Sequence, residues 1–247
     1  MKDIELLHEA TEQEPFFVIA KPSGLASAPL AEGEDSAYTR LAVRYPALNA
    51  VCGRKQVEHG LVHRIDTATE GLLLVASTQE AFDRLQALQS ENRFVKTYEA
   101  VCSIAFGGER AGDGFPPLPQ PLDSIVESRF RTYGLRGSEV RPVTEQSGPA
   151  ARKKASPKTY RTEIHIDTDR KTGTAIACCT LTQGFRHQVR CHLAWLGFPI
   201  LGDMVYNPAA SDGDPFLFRA TELTFPWTDS SEKTSEKNKN LHFTLLT

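Results

Sequence analysis

The chain has 247 residues, of which 40% are hydrophobic and 24% charged, enough for one large buried core or two smaller ones. Its formal net charge of −3 argues against indiscriminate polyanion binding, which relies on a large excess of Lys and Arg. The cysteines at 52, 102, 178, 179 and 191 are odd in number and form no C-x-x-C, so they read as reduced core thiols in a cytoplasmic protein, with no disulfide framework and no zinc site. The N-terminus Met1-Lys2-Asp3-Ile4-Glu5 carries acids where a signal peptide is basic then apolar, and no apolar run approaches membrane-spanning length.

Residues 1–15 read as an N-terminal extension. Phe16-Phe17-Val18-Ile19-Ala20 is a short apolar, β-branched and aromatic run closed by Lys21-Pro22-Ser23-Gly24, the pattern of a strand ending in a turn. Lys21 sits at the strand exit, either as a surface lysine or facing a site built at strand ends. A short helix is expected from about Ala37 to Tyr45, capped by Asp35 or Ser36 and stopped by Pro46. Next comes His63-Arg64-Ile65-Asp66-Thr67-Ala68-Thr69-Glu70-Gly71, a polar segment running straight into Leu72-Leu73-Leu74-Val75-Ala76. A buried strand that follows a short polar loop is how a rigid sheet presents a reactive group at its edge.

Ser77-Thr78-Gln79-Glu80 has the form of a capping box, predicting a helix to about Gln89 with Ala81, Phe82, Leu85 and Leu88 on its apolar face. From Val95 to Cys102 a β-rich run puts Lys96, Tyr98, Ala100 and Cys102 on one face, and Tyr98 there reads as packing. The stretches 105–121 and 134–157 lack a sustained period and read as loops, with a strand between them over Ile125 to Thr132. The basic residues cluster at Arg129, Arg131, Arg136, Arg141, Arg152, Lys153, Lys154, Lys158 and Arg161, where a solvated loop is the plain reading.

Further strands are expected from Lys158 to Ile166 and from Thr174 to Thr182. After the second, Gly184-Phe185-Arg186-His187 opens a helix with Val189, Leu193 and Leu196 at helical spacing and Gly197 as its stop. Arg186, His187 and Arg190 then crowd a helix start, where cations oppose the dipole and an anion would be welcome. Phe216 to Phe225 and Leu241 to Leu246 form a final hairpin around a polar loop at 229–240. Strands outnumber helices, so the class is α+β with a largely antiparallel or mixed sheet.

An aspartate ionised at neutral pH suits a nucleophile or base, an arginine beside it would hold it charged, a tyrosine face stacks on a flat ring, and cations at a helix start hold phosphate. Those parts describe a site for a nucleotide. A kinase reading fails because the His-Arg-Asp of kinases has no intervening residue and neither the Gly-rich loop nor Asp-Phe-Gly is present. A glycoside hydrolase would need a second carboxylate facing Asp66, for which Glu70 is the nearest in sequence, and would leave the tyrosine and the basic loop unexplained.

The stretch His63-Arg64-Ile65-Asp66-x-x-Thr69-x-Gly71-Leu72-Leu73-Leu74 resembles the His-Arg-Leu-Asp-x-x-Thr-Ser-Gly-Leu-Leu-Leu signature of the RluA-type RNA pseudouridine synthases. Lys21-Pro22-Ser23-Gly24, Lys96-x-Tyr98-x-Ala100, Gly184-Phe185-Arg186-His187-Gln188-Val189-Arg190-x-His192-Leu193 and Leu196-Gly197-x-Pro199-Ile200-Leu201-Gly202-Asp203-x-x-Tyr206 are similar to four further blocks of that family, in the same order. The resemblance implies an α+β catalytic domain over 16–247 with a central RNA-binding cleft and no separate N-terminal RNA-binding domain. It also implies isomerisation of uridine to pseudouridine in rRNA or tRNA without cofactor or metal, by a monomer with no membrane and no obligate protein partner.

By the same resemblance Asp66 is the nucleophile, Arg190 its ion-pair partner and Tyr98 the ring stacked on the target base, while Arg64 braces the place left by a flipped uridine. RNA contacts are expected from His63, Lys21, Lys96, Arg186, His187, Lys153 and Lys154. Glu70 replaces the usual serine and is expected to point outward, and Phe185-Arg186 replaces the usual Arg-Thr. The other class of function open to this sequence is a non-catalytic RNA-binding protein derived from the synthase fold.

Overall fold

A computed structural model describes residues 2–104, 115–117, 124–169, 171–228 and 239–245. The chain divides into two compact units, Met1–Lys96 with Arg219–Thr247, and Thr97–Phe218.

The first unit is built on a sheet in the order β1, β2, β3, β9, β10, from strands Glu5–His8, Phe16–Lys21, Glu70–Ala76, Phe218–Trp227 and Lys239–Thr244. Part of the stretch read as an N-terminal extension is therefore an edge strand, with β1 antiparallel to β2. Strands β2 and β3 pair antiparallel from Phe16↔Ala76 to Lys21↔Gly71, and β3 pairs parallel with β9 at Glu70↔Arg219 and Gly71↔Ala220. Phe16, Val18, Leu72 and Leu74 face one way, onto Ala81, Phe82, Leu85 and Leu88 of helix α2 (Gln79–Ser90). Phe17, Ile19, Leu73 and Val75 face the other, onto Tyr38 and Leu41 of helix α1 (Ala37–Arg44). Two covered faces explain why both strands are apolar apart from Lys21 and Glu70 at their ends, each large apolar side chain gaining about 1.5–3 kcal/mol from burial.

Helix α1 starts as expected: Ser36 Oγ accepts from the Thr39 amide at 3.0 Å and Thr39 Oγ1 accepts from the Ser36 amide at 2.7 Å. Helix α2 starts one residue later than its sequence suggests. The Ser77 amide is taken by Pro15 O at 2.9 Å, which keeps Ser77 outside the helix, and Thr78 Oγ1 caps the Ala81 amide at 3.2 Å. Gly71 has φ +141°, and a Cβ there would lie 2.3 Å from Ala220 O, so only glycine lets β9 approach the start of β3.

The second unit follows the path β4 (Val95–Ser103), β8 (Thr174–Leu181), β7 (Tyr160–Asp169), β5 (Ile125–Tyr133), β6 (Glu139–Val143). The stretch 134–157, expected to be loop, holds β6 and the short helix α3 (Pro149–Lys153). Val140 and Val143 are buried while Pro142 sits in the end strand of the path, where a missing amide donor costs little. Helix α4 (Gln188–Trp195) packs Val189, Leu193 and Trp195 into a core with Ala177, Cys179 and Ile164, and Gly197 at φ +87° ends it. The closing hairpin is antiparallel β9 and β10, with most of its polar loop, 229–238, outside the described residues. Among the described residues no helix is long and apolar enough to cross a membrane.

Candidate active site

The loop that carries Asp66 enters β3 at Glu70, and it is pinned by the turn that leaves β2. Lys21, 0% exposed, donates from Nζ to Pro22 O (3.0 Å), Leu25 O (2.7 Å) and Thr67 O (3.0 Å), using all three ammonium protons. The Gly24 amide donates to the same Thr67 carbonyl at 2.9 Å, and Ser23 Oγ to Ala68 O at 2.6 Å. Ser27 Oγ donates to Ile65 O at 2.7 Å and accepts from the Ile65 amide at 3.1 Å. Asp66, half-buried, thus has the backbone tied on both sides, and its own carbonyl accepts from Thr69 N at 3.0 Å. Fixing the main chain of a reactive side chain is the first requirement of preorganisation.

Burial pushes the Lys21 ammonium down to about 8, opposed by the negative charges of Asp66 and Glu70. Glu70, expected to point outward, is half-buried and reaches the guanidinium of Arg219, its register partner on β9, at 3.4 Å. Of the residues expected to touch RNA from this unit, Lys21, His63 and Lys96 are all buried. Burial, and secondarily the Lys96 charge, hold the His63 imidazole well below its usual value, so the ring is neutral. Burial, and then Arg54, push the Lys96 ammonium down to about 8. Arg64 is exposed and forms an ion pair with Glu58, Nη1 to Oε1 at 2.7 Å.

In the second unit Arg190 is buried in helix α4 and bound bidentately by Asp203, Nε to Oδ2 at 2.8 Å and Nη2 to Oδ1 at 2.7 Å. Asp203 is 1% exposed and its Oδ1 also accepts from the Val205 amide at 3.0 Å and the Tyr206 amide at 3.3 Å. The Arg190 guanidinium lies 5.4 Å from the Tyr206 ring centre and 5.1 Å from that of Phe216. Tyr98, half-buried on β4, stacks on Phe218 with centroids 5.4 Å apart and planes at 15°. His187, in left-handed backbone at φ 55°, hydrogen-bonds Tyr206 Oη through Nδ1 at 3.1 Å, and Arg186 is exposed with its guanidinium on Gly137 O. Lys153 and Lys154 are exposed at the end of α3.

Asp66 therefore belongs to the first unit, Tyr98 and Arg190 to the second. Residue type alone does not mark Asp203, Glu58 or Ser27 as functional. For Asp203 the signal was present in Gly202-Asp203-x-x-Tyr206, while Ser27 acts on backbone atoms and leaves no mark on the sequence.

Residues 15–195 match the RNA pseudouridylate synthase family. The chain belongs to that family. The "Dual-specificity RNA pseudouridine synthase RluA" of Escherichia coli is 29% identical over 215 residues, covering 86% of this chain and 83% of that protein. The "Ribosomal large subunit pseudouridine synthase D" of Zymomonas mobilis is 29% identical over 197 residues, covering 79% of this chain, which spans about half (54%) of that relative's length. Two solved human structures share the fold: RNA pseudouridylate synthase domain containing 1, TM-score 0.65 at 17% identity over 99% of this chain and 84% of that one, and domain containing 4, TM-score 0.62 at 20% identity over 98% and 88%. The pseudouridine synthase family and the α+β fold expected from the motifs are borne out.

Proposed function

We propose that this chain isomerises uridine to pseudouridine within ribosomal or transfer RNA, with the Asp66 carboxylate as nucleophile. The observation that carries the proposal is the Asp66 loop, held on both sides by Lys21, Ser23 and Ser27, inside a family match that spans residues 15–195. The carboxylate adds to C1′ of the ribose or C6 of the uracil, and the bond from C1′ to N1 breaks. The ring turns so that C5 faces C1′, a carbon to carbon bond forms, the C5 proton leaves, N1 gains a proton, and the aspartate is released. Composition is unchanged and no redox partner is consumed, so binding, orientation and proton transfer suffice.

In this reading Arg190 is the ion-pair partner of Asp66, and Asp203 holding two edges of its guanidinium supports a fixed orientation. Tyr98, already stacked on Phe218, offers a rigid aromatic surface for the uracil. Arg64 fills the place left by the flipped uridine, and Lys153, Lys154, Arg186 and His187 meet the RNA. The protein acts as a cytoplasmic monomer.

The test is a transcriptome-wide map of pseudouridine in cells with the wild-type protein, with Asp66→Asn and with no protein. Sites lost in both mutants name the substrate. Identical maps in all three would overturn the enzyme and leave an RNA-binding protein.

A further inference from the structure

The stretch before the Asp66 loop carries a buried charge and a strained turn that packing alone does not require. Gln56–Glu58 form a single 3₁₀ turn, closed by the Glu58 amide on Lys55 O at 3.0 Å and the Leu61 amide on Glu58 O at 2.9 Å. His59, next in line, has φ 42°, costly for a residue with a Cβ, and its ring is held flat on Tyr38 of α1 at 5.3 Å and 12°. This turn places the Glu58 carboxylate, on a side chain only 9% exposed, 2.7 Å from the guanidinium of Arg64, whose side chain is 57% exposed.

The asymmetry of that pair is informative. An exposed arginine gains little stability from an ion pair, whereas sinking a carboxylate costs free energy unless a partner answers it. The backbone around Arg64 is already fixed, by the Val62 amide on Leu74 O at 2.9 Å and by Ser27 Oγ on both polar groups of Ile65. Glu58 adds what the backbone cannot, a preferred direction for a long side chain two residues before Asp66.

We propose that Glu58 is a positioning residue that aims Arg64 at the RNA stack, so that the guanidinium occupies the gap as the target uridine is withdrawn. The inference rests on the synthase reading above. A free arginine would have to be ordered during flipping, at the moment when the unpaired RNA is least stable, and an arginine ordered in advance avoids that entropy loss. Glu58 therefore matters in proportion to how hard the uridine is to extract.

The test uses a synthetic hairpin carrying a mapped target uridine opposite adenine, and the same hairpin with an abasic nucleotide opposite, where flipping is cheaper. Glu58→Gln is expected to lower kcat/KM about tenfold on the paired hairpin and less than about twofold on the abasic one. Arg64→Lys, at an exposed site that leaves the fold intact, is expected to give the same selective loss. Glu58→Gln added to Arg64→Ala is expected to cost nothing further on the paired hairpin. Equal losses on the two hairpins, or no loss on either, would overturn the role of Glu58. Wild type that converts neither hairpin, matching Asp66→Asn, would instead overturn the synthase reading on which it rests.

Discussion

The Nζ of Lys21 lies 3.0 Å from the carbonyl oxygen of Thr67, the residue after Asp66, and a lysine with no exposed surface is thereby the peg on which the loop hangs. Replacing it by Met takes a donor from Pro22 O and Leu25 O and leaves Thr67 O with only the Gly24 amide, at an expected cost of about 1–3 kcal/mol, with at least a tenfold fall in kcat as the Asp66 backbone loosens. The Lys21 proton leaves near 8 in the folded chain against 10.5 ordinarily. Between those values the unfolded chain holds the extra proton, so this group makes stability rise with pH, and that contribution is lost as pH falls through about 8. Lys96, also near 8, acts in the same sense. Urea denaturation from pH 8 to 10 should therefore give a slope of stability against pH smaller in Lys21→Met than in wild type, by up to about 1.4 kcal/mol per unit.

Removing Asp203 takes its bidentate carboxylate partner from a buried guanidinium. Asp203→Ala is expected to destabilise by about 3–5 kcal/mol, whereas Arg190→Met with Asp203→Leu, which removes both charges, should recover most of that stability yet stay inactive. Chemical denaturation and turnover on a mapped RNA site, measured on the same preparations, separate the two effects.

Gly71→Ala would drive a methyl group into Ala220 O and hold an unfavourable φ. A loss of about 2–4 kcal/mol is expected, read as a lower urea midpoint with an unchanged slope. A midpoint equal to wild type would mean that β9 can move away from β3 at no cost.

Lys153 and Lys154 are exposed, so Lys153→Glu with Lys154→Glu should leave stability within about 0.5 kcal/mol of wild type. If both meet phosphates, the slope of log affinity for RNA against log salt falls by roughly 1.4 in magnitude, about 0.7 for each contact to a single strand. An unchanged salt slope would remove these two residues from the RNA interface.

Much of the fold could be read from apolar period and punctuation. The doubly buried β2 and β3, the Ser36 cap and the Gly197 stop all follow from local rules that the tertiary structure did not override. Strand β6 was hidden because Pro142 and its polar flanks mimic a loop, and the cap of α2 shifted because a distant carbonyl, Pro15 O, claimed the Ser77 amide. At the candidate site Asp66 and Arg190 stand out by residue type and motif, Tyr98 by motif alone. What stayed out of reach was burial: Lys21, His63 and Lys96 are polar types that ordinarily face water, and here they lie inside. The thirteen-residue reach from Arg190 to Asp203 is likewise a product of the fold alone.

Every acceptor of the Lys21 ammonium is a main-chain carbonyl, a group that all twenty residue types possess. Substitution at Thr67 or Ala68 can thus proceed by drift or selection without disturbing the anchorage of Asp66 between them and Ile65. The loop is consequently evolvable: its side chains can be traded to suit a new RNA while the position of Asp66 is inherited unchanged.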